Sequence, residues 1–320
     1  MSPRISIIIP TFNRAWSLPR TIASVLNQTS KDWELIIVDD GSTDDTTGVI
    51  KEYLTDTRVR YFKKENGGVG TARNFGIAKA SNELVTFLDS DDEFVPNTIE
   101  LMQEDAPRLL TDKSISMVLY LAKKNSAKSY QDNRLADKEL IDYKSAVQGR
   151  WPRVETVQLC RKETFNKYLF PTLAGGHETI LWNSILKYEG PALLRTKIVR
   201  IYHTEHDSRL TGVSSVISRA RTMPKLYDIF LKEFEEDYKA LNPKQLAYFY
   251  LEKGIFEIVD GDVKAGRNSI WKVIQFDKGK LPVVILVLCA SILPQVLFGK
   301  FAQYRQALKV ILSNLRGGGL

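Results

Sequence analysis

The residues of this chain best suited to chemistry are acids that follow a short apolar run. Four of the five residues in Asp89–Glu93 are acids, directly after Leu84–Leu88. Carboxylates crowded beside a hydrophobic run are costly unless a cation or hydrogen-bond donors compensate them. Asp89 and Asp91 are hard oxygen ligands, which suit Mg²⁺ or Mn²⁺ held together with substrate phosphates. The other interpretation is a solvated loop whose acids cap the helix that follows.

A second acidic pair, Asp39 and Asp40, follows the apolar run Leu35–Val38 and precedes Gly41. A carboxylate at the end of a strand can accept a hydrogen bond from a base imide or a ribose hydroxyl. An Asp-Gly turn that caps the next helix explains the same residues. The pair alone leaves both interpretations open.

The glycine loop Asn66–Gly70 resembles a phosphate cradle only in part. It begins as G-x-G, but Arg73 stands where the third glycine of the dinucleotide fingerprint belongs, and the chain contains no G-x-x-x-x-G-K-[ST] motif. Arg73, near a predicted helix start, could contact a diphosphate through two hydrogen bonds or pair with a carboxylate.

The elements that must position these residues are predicted from alternating apolar runs and helical patterns. Strands are predicted at Ile5–Ile9, Leu35–Val38, Val59–Phe62 and Leu84–Leu88, with helices over Leu18–Leu26, from Thr43, and from Thr71 to Ala80. This spacing predicts an α/β fold with a mostly parallel sheet flanked by helices on both faces. Ligands bind beyond the carboxyl ends of such strands, where both acid clusters lie.

The rest of the chain is less regular. Further strands are expected at Ser116–Leu121, within Arg150–Cys160 and at Ile198–Tyr202, and a helix is expected after Glu178. From about Ser214 to Arg267 the pattern is helical. We therefore divide the chain into two halves of an α/β domain, residues 1–105 and 106–213, and a helical C-terminal region, residues 214–320.

Composition restricts the class of protein. Hydrophobic residues make up 43% of the chain and charged residues 26%, which excludes collagen, a coiled-coil rod and a wholly disordered chain. Cys160 and Cys289 are too few for a disulfide framework, so a reducing compartment is expected. The first apolar run, Ile5–Ile9, is too short for a signal peptide, and we expect no export.

The net charge of +7 is concentrated in the C-terminal region. Residues 271–320 hold seven Lys or Arg against one acid, and they surround an uncharged run of 18 residues, Leu281–Phe298. A spanning helix needs ~20 apolar residues, so we expect this tail to lie in the membrane interface against anionic headgroups, at the cytoplasmic face, as a peripheral or monotopic contact. A buried C-terminal helix is the alternative. The apolar run disfavours nucleic-acid binding by the basic tail.

Four motifs together resemble the family-2 glycosyltransferases. They are Ile7–Asn13 (IIIPTFN), Val38–Asp44 (VDDGSTD), Asn66–Gly68 with Ala72–Gly76 (NGG and ARNFG), and Phe87–Asp92 (FLDSDD). Their order, their spacing and their positions at the ends of predicted strands agree with that family over the first hundred residues. The resemblance implies a GT-A fold, a nucleotide-diphospho-sugar donor, Mn²⁺ or Mg²⁺, and inversion at the anomeric carbon, as in bacterial polysaccharide synthesis. It makes the first half of the domain the donor-binding half and the second the acceptor-binding half.

The resemblance also implies roles for individual residues. The positions expected to bind the nucleotide sugar are Pro10, Thr11, Asn13, Asp39, Asp40, Arg73 and Asp89. Among them, Asp40 would meet the base and Asp89 the ribose or donor sugar. Asp91 would hold the metal on the diphosphate, with Asp89 and His206 as further candidate ligands. A divalent ion there stabilises the charge that develops on the leaving nucleoside diphosphate.

The catalytic base is expected at Glu178. An inverting transfer needs a carboxylate that takes the proton of the acceptor hydroxyl. The family usually has Glu-Asp before a helix in the second half of the fold, where this chain has His177 and Glu178. A helix acid in the first turn is the alternative for Glu178. His203, like His206, is either a further metal or diphosphate contact or a surface histidine.

We therefore expect an inverting, metal-assisted glycosyltransferase. It would move a sugar from a nucleotide-diphospho-sugar, a UDP-sugar being favoured, to a glycan or lipid-linked acceptor in cell-surface polysaccharide synthesis. A catalytically silent nucleotide-sugar-binding or scaffolding protein of the same fold is the alternative, suggested by His177-Glu178. The region between Ser116 and Gly176 is expected to set specificity.

Overall fold

The computed structural model describes residues 3–127, 134–173, 178–203 and 219–291. The chain divides into two compact units, one over residues 1–146 with 150–205 and one over residues 147–149 with 206–320. His177, His206 and residues 292–320 lie outside the described residues.

The first unit is built around a mixed sheet. Its described strands are β1 (Ile5–Thr11), β2 (Trp33–Asp39), β3 (Val59–Lys63), β4 (Leu84–Phe87), β5 (Glu93–Phe94), β6 (Met117–Lys124), β7 (Leu140–Ile141), β8 (Thr156–Arg161) and β9 (Ala192–Tyr202). Its described helices are α1 (Leu18–Leu26), α2 (Thr46–Ile50), α3 (Val69–Lys79), α4 (Thr98–Thr111), α5 (Tyr143–Ser145) and α6 (Glu178–Glu189).

The strand order joins both halves of the domain in one sheet. The order is β3-β2-β1-β4-β8-β6-β9-β5, and β7 also pairs with β9. Strands β1 to β4 pair in parallel, as predicted for the first hundred residues. Strand β8 then runs antiparallel to both β4 and β6. The four neighbouring parallel strands therefore end at β4, which carries the Asp89–Glu93 cluster at its carboxyl end, and β6 and β9 form a further parallel pair beyond β8.

Alternate residues of the parallel strands face two separate cores. Ile7 and Leu35 face one core together with α1 and α4, while Ile8 and Ile36 face the other together with α3 and α6. All four side chains are fully buried. Strands buried on both faces have nearly continuous apolar sequences, which is the pattern that predicts them. This α/β/α layering confirms the predicted fold class.

Helix α3 lies close against β1 and β2 because Gly76 has no side chain. A Cβ at Gly76 would come within 2.5 Å of Ile8 and 3.3 Å of Val38. The helix begins after Gly68, whose φ of 90° lies in the left-handed region that favours glycine. The glycines of the NGG and ARNFG motifs thus determine where α3 begins and how near it approaches the sheet.

Glu34 is a buried acid near the amino end of β2. Its carboxylate accepts hydrogen bonds from Ser6 Oγ at 2.7 Å, the Ser81 backbone N–H at 2.6 Å and the Arg60 guanidinium at 3.0 Å. Burial alone would raise the pKa of Glu34, but these donors outweigh burial and hold the pKa below its usual value. The network therefore stabilises the amino ends of three neighbouring strands, β1, β2 and β3.

The second unit is helical in its described part. Its helices are α7 (Met223–Leu241), α8 (Pro243–Asp260), α9 (Val263–Phe276) and α10 (Leu281–Ala290). Helices α8 and α9 approach closely at Gly254 and Gly266, where an added Cβ would meet Ile270 at 2.7 Å and Ile258 at 2.4 Å. None of the helices in the described ranges combines the length and the hydropathy needed to cross a bilayer.

Candidate active site

Asp40 joins the carboxyl end of β2 to the glycine loop before α3. Its side chain is buried and accepts hydrogen bonds from the backbone N–H groups of Gly67 at 3.0 Å and Gly68 at 2.7 Å. Lys64 Nζ donates to the same carboxylate at 2.5 Å. The VDDGSTD and NGG motifs, which are separate in the sequence, therefore form one assembly in space.

Asp39 is fully buried and holds the turn that follows β2. It accepts hydrogen bonds from the Ser42 backbone N–H and from the Tyr61 hydroxyl, both at 2.7 Å. Burial raises the pKa of Tyr61 to about 12, and the neighbouring Asp39 carboxylate adds to the rise. The contacts that the resemblance implies between Asp39, Asp40 and a nucleotide stay predictions.

Pro10, Thr11 and Asn13 lie at the end of β1 and in the loop after it. The Thr11 carbonyl accepts a hydrogen bond from the Asp40 backbone N–H at 2.8 Å. Asn13 has a left-handed φ of 52°, and its Oδ1 accepts from the Thr43 backbone N–H at 2.8 Å. The hydroxyl of Thr11 is buried without a hydrogen-bond partner in the described part of the chain. The structure thus brings this loop and the acidic turn after β2 together.

Arg73 links two of the candidate functional carboxylates. It lies in α3 with only 5% of its surface exposed, and it donates to Asp89 Oδ1 at 2.7 Å and to Glu178 Oε1. Burial works to lower the pKa of Arg73, but the two carboxylates outweigh burial and raise it. Asp89, the acid expected to contact the donor, and Glu178, the acid expected to act as the base, therefore both pair with the guanidinium of Arg73.

Helix α3 is also clamped to the segment that precedes Glu178. Asn74 Nδ2 donates to the Phe170 carbonyl at 3.0 Å, and Asn74 Oδ1 accepts from the Phe170 backbone N–H at 3.0 Å. The buried Phe170 ring packs edge-on against Phe87, with ring centroids 5.0 Å apart, and the Arg73 guanidinium lies 5.2 Å from the centroid of the same ring. In the ARNFG motif, Arg73 thus contacts the carboxylates of the site, and Asn74 holds α3 to the segment that precedes Glu178.

Arg200, which the sequence motifs do not include, is a second buried arginine at this site. It lies in β9 and contacts Asp89 at 3.3 Å, Glu155 at 2.6 Å and Asp92 at 3.5 Å. Burial works to raise the pKa of Asp89, but Arg73 and Arg200 outweigh burial and lower it. Burial raises the pKa of Asp92 to about 8, with Arg200 opposing the rise and the neighbouring acids adding to it. Asp92 therefore keeps a proton more readily than Asp89 does.

Asp91 is the acid of the cluster whose environment best fits a divalent ion. Its side chain is 26% exposed and accepts no hydrogen bond from the described residues, and the Arg14 Nε lies 3.8 Å from it. Both carboxylate oxygens of Asp89, in contrast, already contact the guanidinium groups of Arg73 and Arg200. Mg²⁺ and Mn²⁺ sites of this kind use one or two carboxylates together with substrate phosphates. Asp91 fits that description, and Asp89 fits it less well.

His203 contacts Glu93 at the end of β9. Its Nε2 lies 2.6 Å from Glu93 Oε1, and Arg20 Nε lies 3.4 Å from the same oxygen. Across residues 3–127, 134–173, 178–203 and 219–291, no group of three or more His, Cys, Asp or Glu side chains is close enough to hold a metal ion. The predicted ligand His206 lies outside those ranges.

Three arginines that the motifs do not reveal, Arg14, Arg20 and Arg200, lie beside the acid cluster. Arg200 carries a signal, because it places a charge inside the predicted apolar strand Ile198–Tyr202. Such a charge on a buried strand needs a carboxylate partner. Arg14 directly follows the motif residue Asn13, so its position along the chain could have identified it.

Comparison with known proteins decides the family. A sequence model of the family described as "Glycosyl transferase family 2" matches residues 6–169, just over half of the chain. The chain belongs to glycosyl transferase family 2. A relative in Campylobacter jejuni, named GalNAc(5)-diNAcBac-PP-undecaprenol beta-1,3-glucosyltransferase, is 28% identical over 96% of this chain and 99% of its own. The resemblance in the four motifs is thereby confirmed, and the chain is a glycosyltransferase.

Solved structures show the same fold. The S. aureus TarS 1–349 structure in complex with UDP-GlcNAc has a TM-score of 0.58 at 19% identity, covering 98% of this chain and 92% of that one. The mannosyltransferase PcManGT from Pyrobaculum calidifontis, in complex with GDP-Man and Mn²⁺, has a TM-score of 0.56 at 18% identity, covering 98% and 88%. Both likenesses support the predicted GT-A fold.

Proposed function

We propose that this protein transfers a sugar from a nucleoside-diphosphate donor, UDP being the favoured nucleotide, to a hydroxyl of a lipid-linked glycan, with inversion at the anomeric carbon. The observation that carries the proposal is the pair of contacts from Arg73 to Asp89 and Glu178. One acid lies at the end of the donor-binding strands, and the other begins the helix expected to face the acceptor. Their shared contact with the Arg73 guanidinium supports the proposal that the donor and the acceptor react beside it.

The donor assignment is supported by the acid cluster and by the structural neighbours. Asp91 has a carboxylate available for an ion, and the described part of the chain offers no closed set of protein ligands. An ion on Asp91 would then share the donor's diphosphate and supply positive charge where the leaving group gains negative charge. Structures of TarS with UDP-GlcNAc and with UDP, which share this fold, favour UDP as the first nucleotide to test.

The acceptor assignment is supported by the Campylobacter relative. Its name specifies an undecaprenol-linked diphosphate glycan, and the two chains match over nearly their whole lengths. In the proposed reaction Glu178 accepts the proton of the attacking hydroxyl. Its side chain is 39% exposed, so an acceptor hydroxyl can approach it without a rearrangement of the core.

The test is calorimetric titration of UDP into the full-length protein with and without Mn²⁺, followed by transfer from a panel of radiolabelled UDP-sugars to undecaprenyl-diphosphate glycans. We expect tight binding that needs Mn²⁺ and is lost in Asp91→Asn. Glu178→Gln should bind UDP normally and lose roughly 10²- to 10⁴-fold in transfer. The exposed acid Glu83, changed to Gln, is the matched control for loss of a carboxylate.

Two outcomes would contradict the proposal. Absence of UDP and GDP binding under every condition would remove the donor site. Normal, metal-dependent binding with no transfer to any acceptor would instead favour the catalytically silent nucleotide-sugar-binding protein.

A further inference from the structure

Helix α10, the last described helix, has two apolar sides with different surroundings. Val284, Val287 and Ala290 are buried, and Arg267 Nε of α9 donates to Ser291 Oγ at 2.9 Å just after the helix. These contacts hold α10 against α9. The opposite side carries exposed apolar residues at helical spacings of three and four, and we call it the outer face of α10: Leu281, Ile285, Leu286 and Cys289.

The outer face is unusual for a surface exposed to water. Leu281 is 44% exposed, Ile285 52% and Leu286 53%. Residues 281–290 include no charged or hydrogen-bonding side chain other than the Cys289 thiol. A surface helix of a globular domain normally has polar residues on its outer side, and a helix that is apolar all round is normally covered.

The charge beside the outer face indicates what covers it. Lys278 and Lys280 are exposed and lie in the 3₁₀ turn that leads directly into α10. Asp277 is the only acid between residues 271 and 320. Apolar side chains flanked by lysines complement an anionic lipid surface, in which the helix lies in the plane of the headgroups. A two-fold contact between copies of this chain would instead bring the same basic surface against itself.

We propose that the outer face of α10 docks onto an anionic phospholipid surface, with Lys278 and Lys280 among the headgroups. Ten residues of helix extend ~15 Å, about half of the ~30 Å hydrocarbon thickness, so α10 lies in the interface. The docking itself does not depend on the proposed function. Its role does rest on that function, because the contact would hold the enzyme where a lipid-linked acceptor is found.

The test is co-sedimentation of the full-length protein with vesicles of phosphatidylcholine alone or of phosphatidylcholine mixed with phosphatidylglycerol. We expect binding to the mixed vesicles to be the tighter. Lys278→Gln with Lys280→Gln should weaken binding to mixed vesicles by roughly 25-fold, about 5-fold for each lysine, and leave neutral vesicles unaffected. Ile285→Asp with Leu286→Asp should weaken binding to both vesicles by about 10-fold or more.

The matched control is Ile229→Asp on α7. Ile229 is 48% exposed, so this variant makes one of the two chemical changes, isoleucine to aspartate, at a comparable position on another helix. It should bind vesicles like the wild type. Thermal melting and UDP titration of every variant check that the fold and the donor site are intact. Failure of UDP binding in the wild type would contradict the proposed function and leave the vesicle result standing.

Three results would overturn the docking proposal. One is vesicle binding that survives both aspartate substitutions, because the contact then lies elsewhere. Another is equal binding to neutral and anionic vesicles with no effect of the lysine substitutions. The third is a wild-type dimer in sedimentation velocity that Ile285→Asp with Leu286→Asp converts to a monomer, since a second copy would then cover the outer face.

Discussion

Replacing Arg73 by Met tests whether this arginine acts by positioning Glu178. Methionine keeps an unbranched apolar stem that can pack against Phe170, but it removes the guanidinium that contacts Asp89 and Glu178. The variant therefore separates the electrostatic role of Arg73 from its role in filling space in the site.

The expected loss of stability is small for a buried arginine. Removing one member of a fully buried ion pair costs about 3–5 kcal/mol. Here Asp89 is 37% exposed and Glu178 39% exposed, so water can solvate both carboxylates, and Asp89 keeps Arg200 at 3.3 Å. We expect a loss of only about 1–2 kcal/mol in the free energy of unfolding, measured by urea denaturation. Arg108→Met, on the exposed side of α4, is the matched control.

The effect on transfer should be larger than the effect on stability. A catalytic group displaced by about 1 Å can lose on the order of 10²-fold in rate, so kcat should fall by roughly 10- to 100-fold. Loss of the Asp89 contact should appear separately, as a higher KM for the donor. Arg73→Lys keeps the charge without the fork that reaches two carboxylates, and it should show an intermediate kcat.

A double-variant cycle decides the matter. If Arg73 acts through Glu178, then Arg73→Met combined with Glu178→Gln should have nearly the kcat of Glu178→Gln alone. Independent losses that multiply in the double variant would refute the positioning role. An unchanged kcat in Arg73→Met, at the expected stability, would refute it as well.

The remaining predictions concern the scaffold. Asp40→Asn should lower stability by about 1–3 kcal/mol, read as a lower Tm, because Lys64 loses its charged acceptor. Gly70→Ala should lower the yield of folded protein and its Tm, since the new Cβ would lie 2.1 Å from the Pro171 carbonyl oxygen. Glu34→Gln should cost about 1–2 kcal/mol at neutral pH. Because the folded-state pKa of Glu34 is lowered, the stability it contributes is present above pH 4.5 and lost as the pH falls through the folded-state pKa. Urea denaturation at neutral and acid pH should therefore show wild type and Glu34→Gln converging at low pH.

The first half of the fold could be predicted because its strands are buried on both faces. Leu35–Val38 is apolar throughout and Ile5–Ile9 is apolar except for Ser6, and both lie inside observed parallel strands, β2 and β1. The start of α3 could be located to within two residues from the glycines before Thr71. Local sequence and burial agree in this part of the chain, so pattern and structure coincide.

The beginning of β9 could not be predicted, because a charge there is buried. The pattern predicts a strand at Ile198–Tyr202, whereas β9 begins at Ala192. Arg195, in the missed part, is 5% exposed and pairs with Asp105 of α4. Arginine is normally found at the surface, and the buried charge of Arg195 is compensated by Asp105, which is distant in sequence. The hydrophobic periodicity of the strand carries no information about such a partner.

The candidate site shows the same division. Asp89 and Asp91 could be selected because acids at the end of an apolar strand are a local signal. Their different environments depend on Arg200, which lies 111 residues after Asp89 and reaches it from β9. Sequence reasoning could therefore select the acids. The tertiary contacts add what the sequence does not contain: Asp89 pairs with arginine side chains, whereas Asp91 keeps a carboxylate that could bind an ion.

Asp40 is a motif residue whose hydrogen bonds hold the glycine loop in place. A carboxylate has about four lone-pair positions, and Asp40 uses three of them for Lys64, Gly67 and Gly68. With only 3% of its surface exposed, it has little capacity left for a nucleobase. We therefore expect Asp40 variants to change UDP affinity through the glycine loop, so that affinity and stability fall together. An Asp40→Asn protein that lost UDP affinity at full stability would instead indicate direct contact between Asp40 and the base.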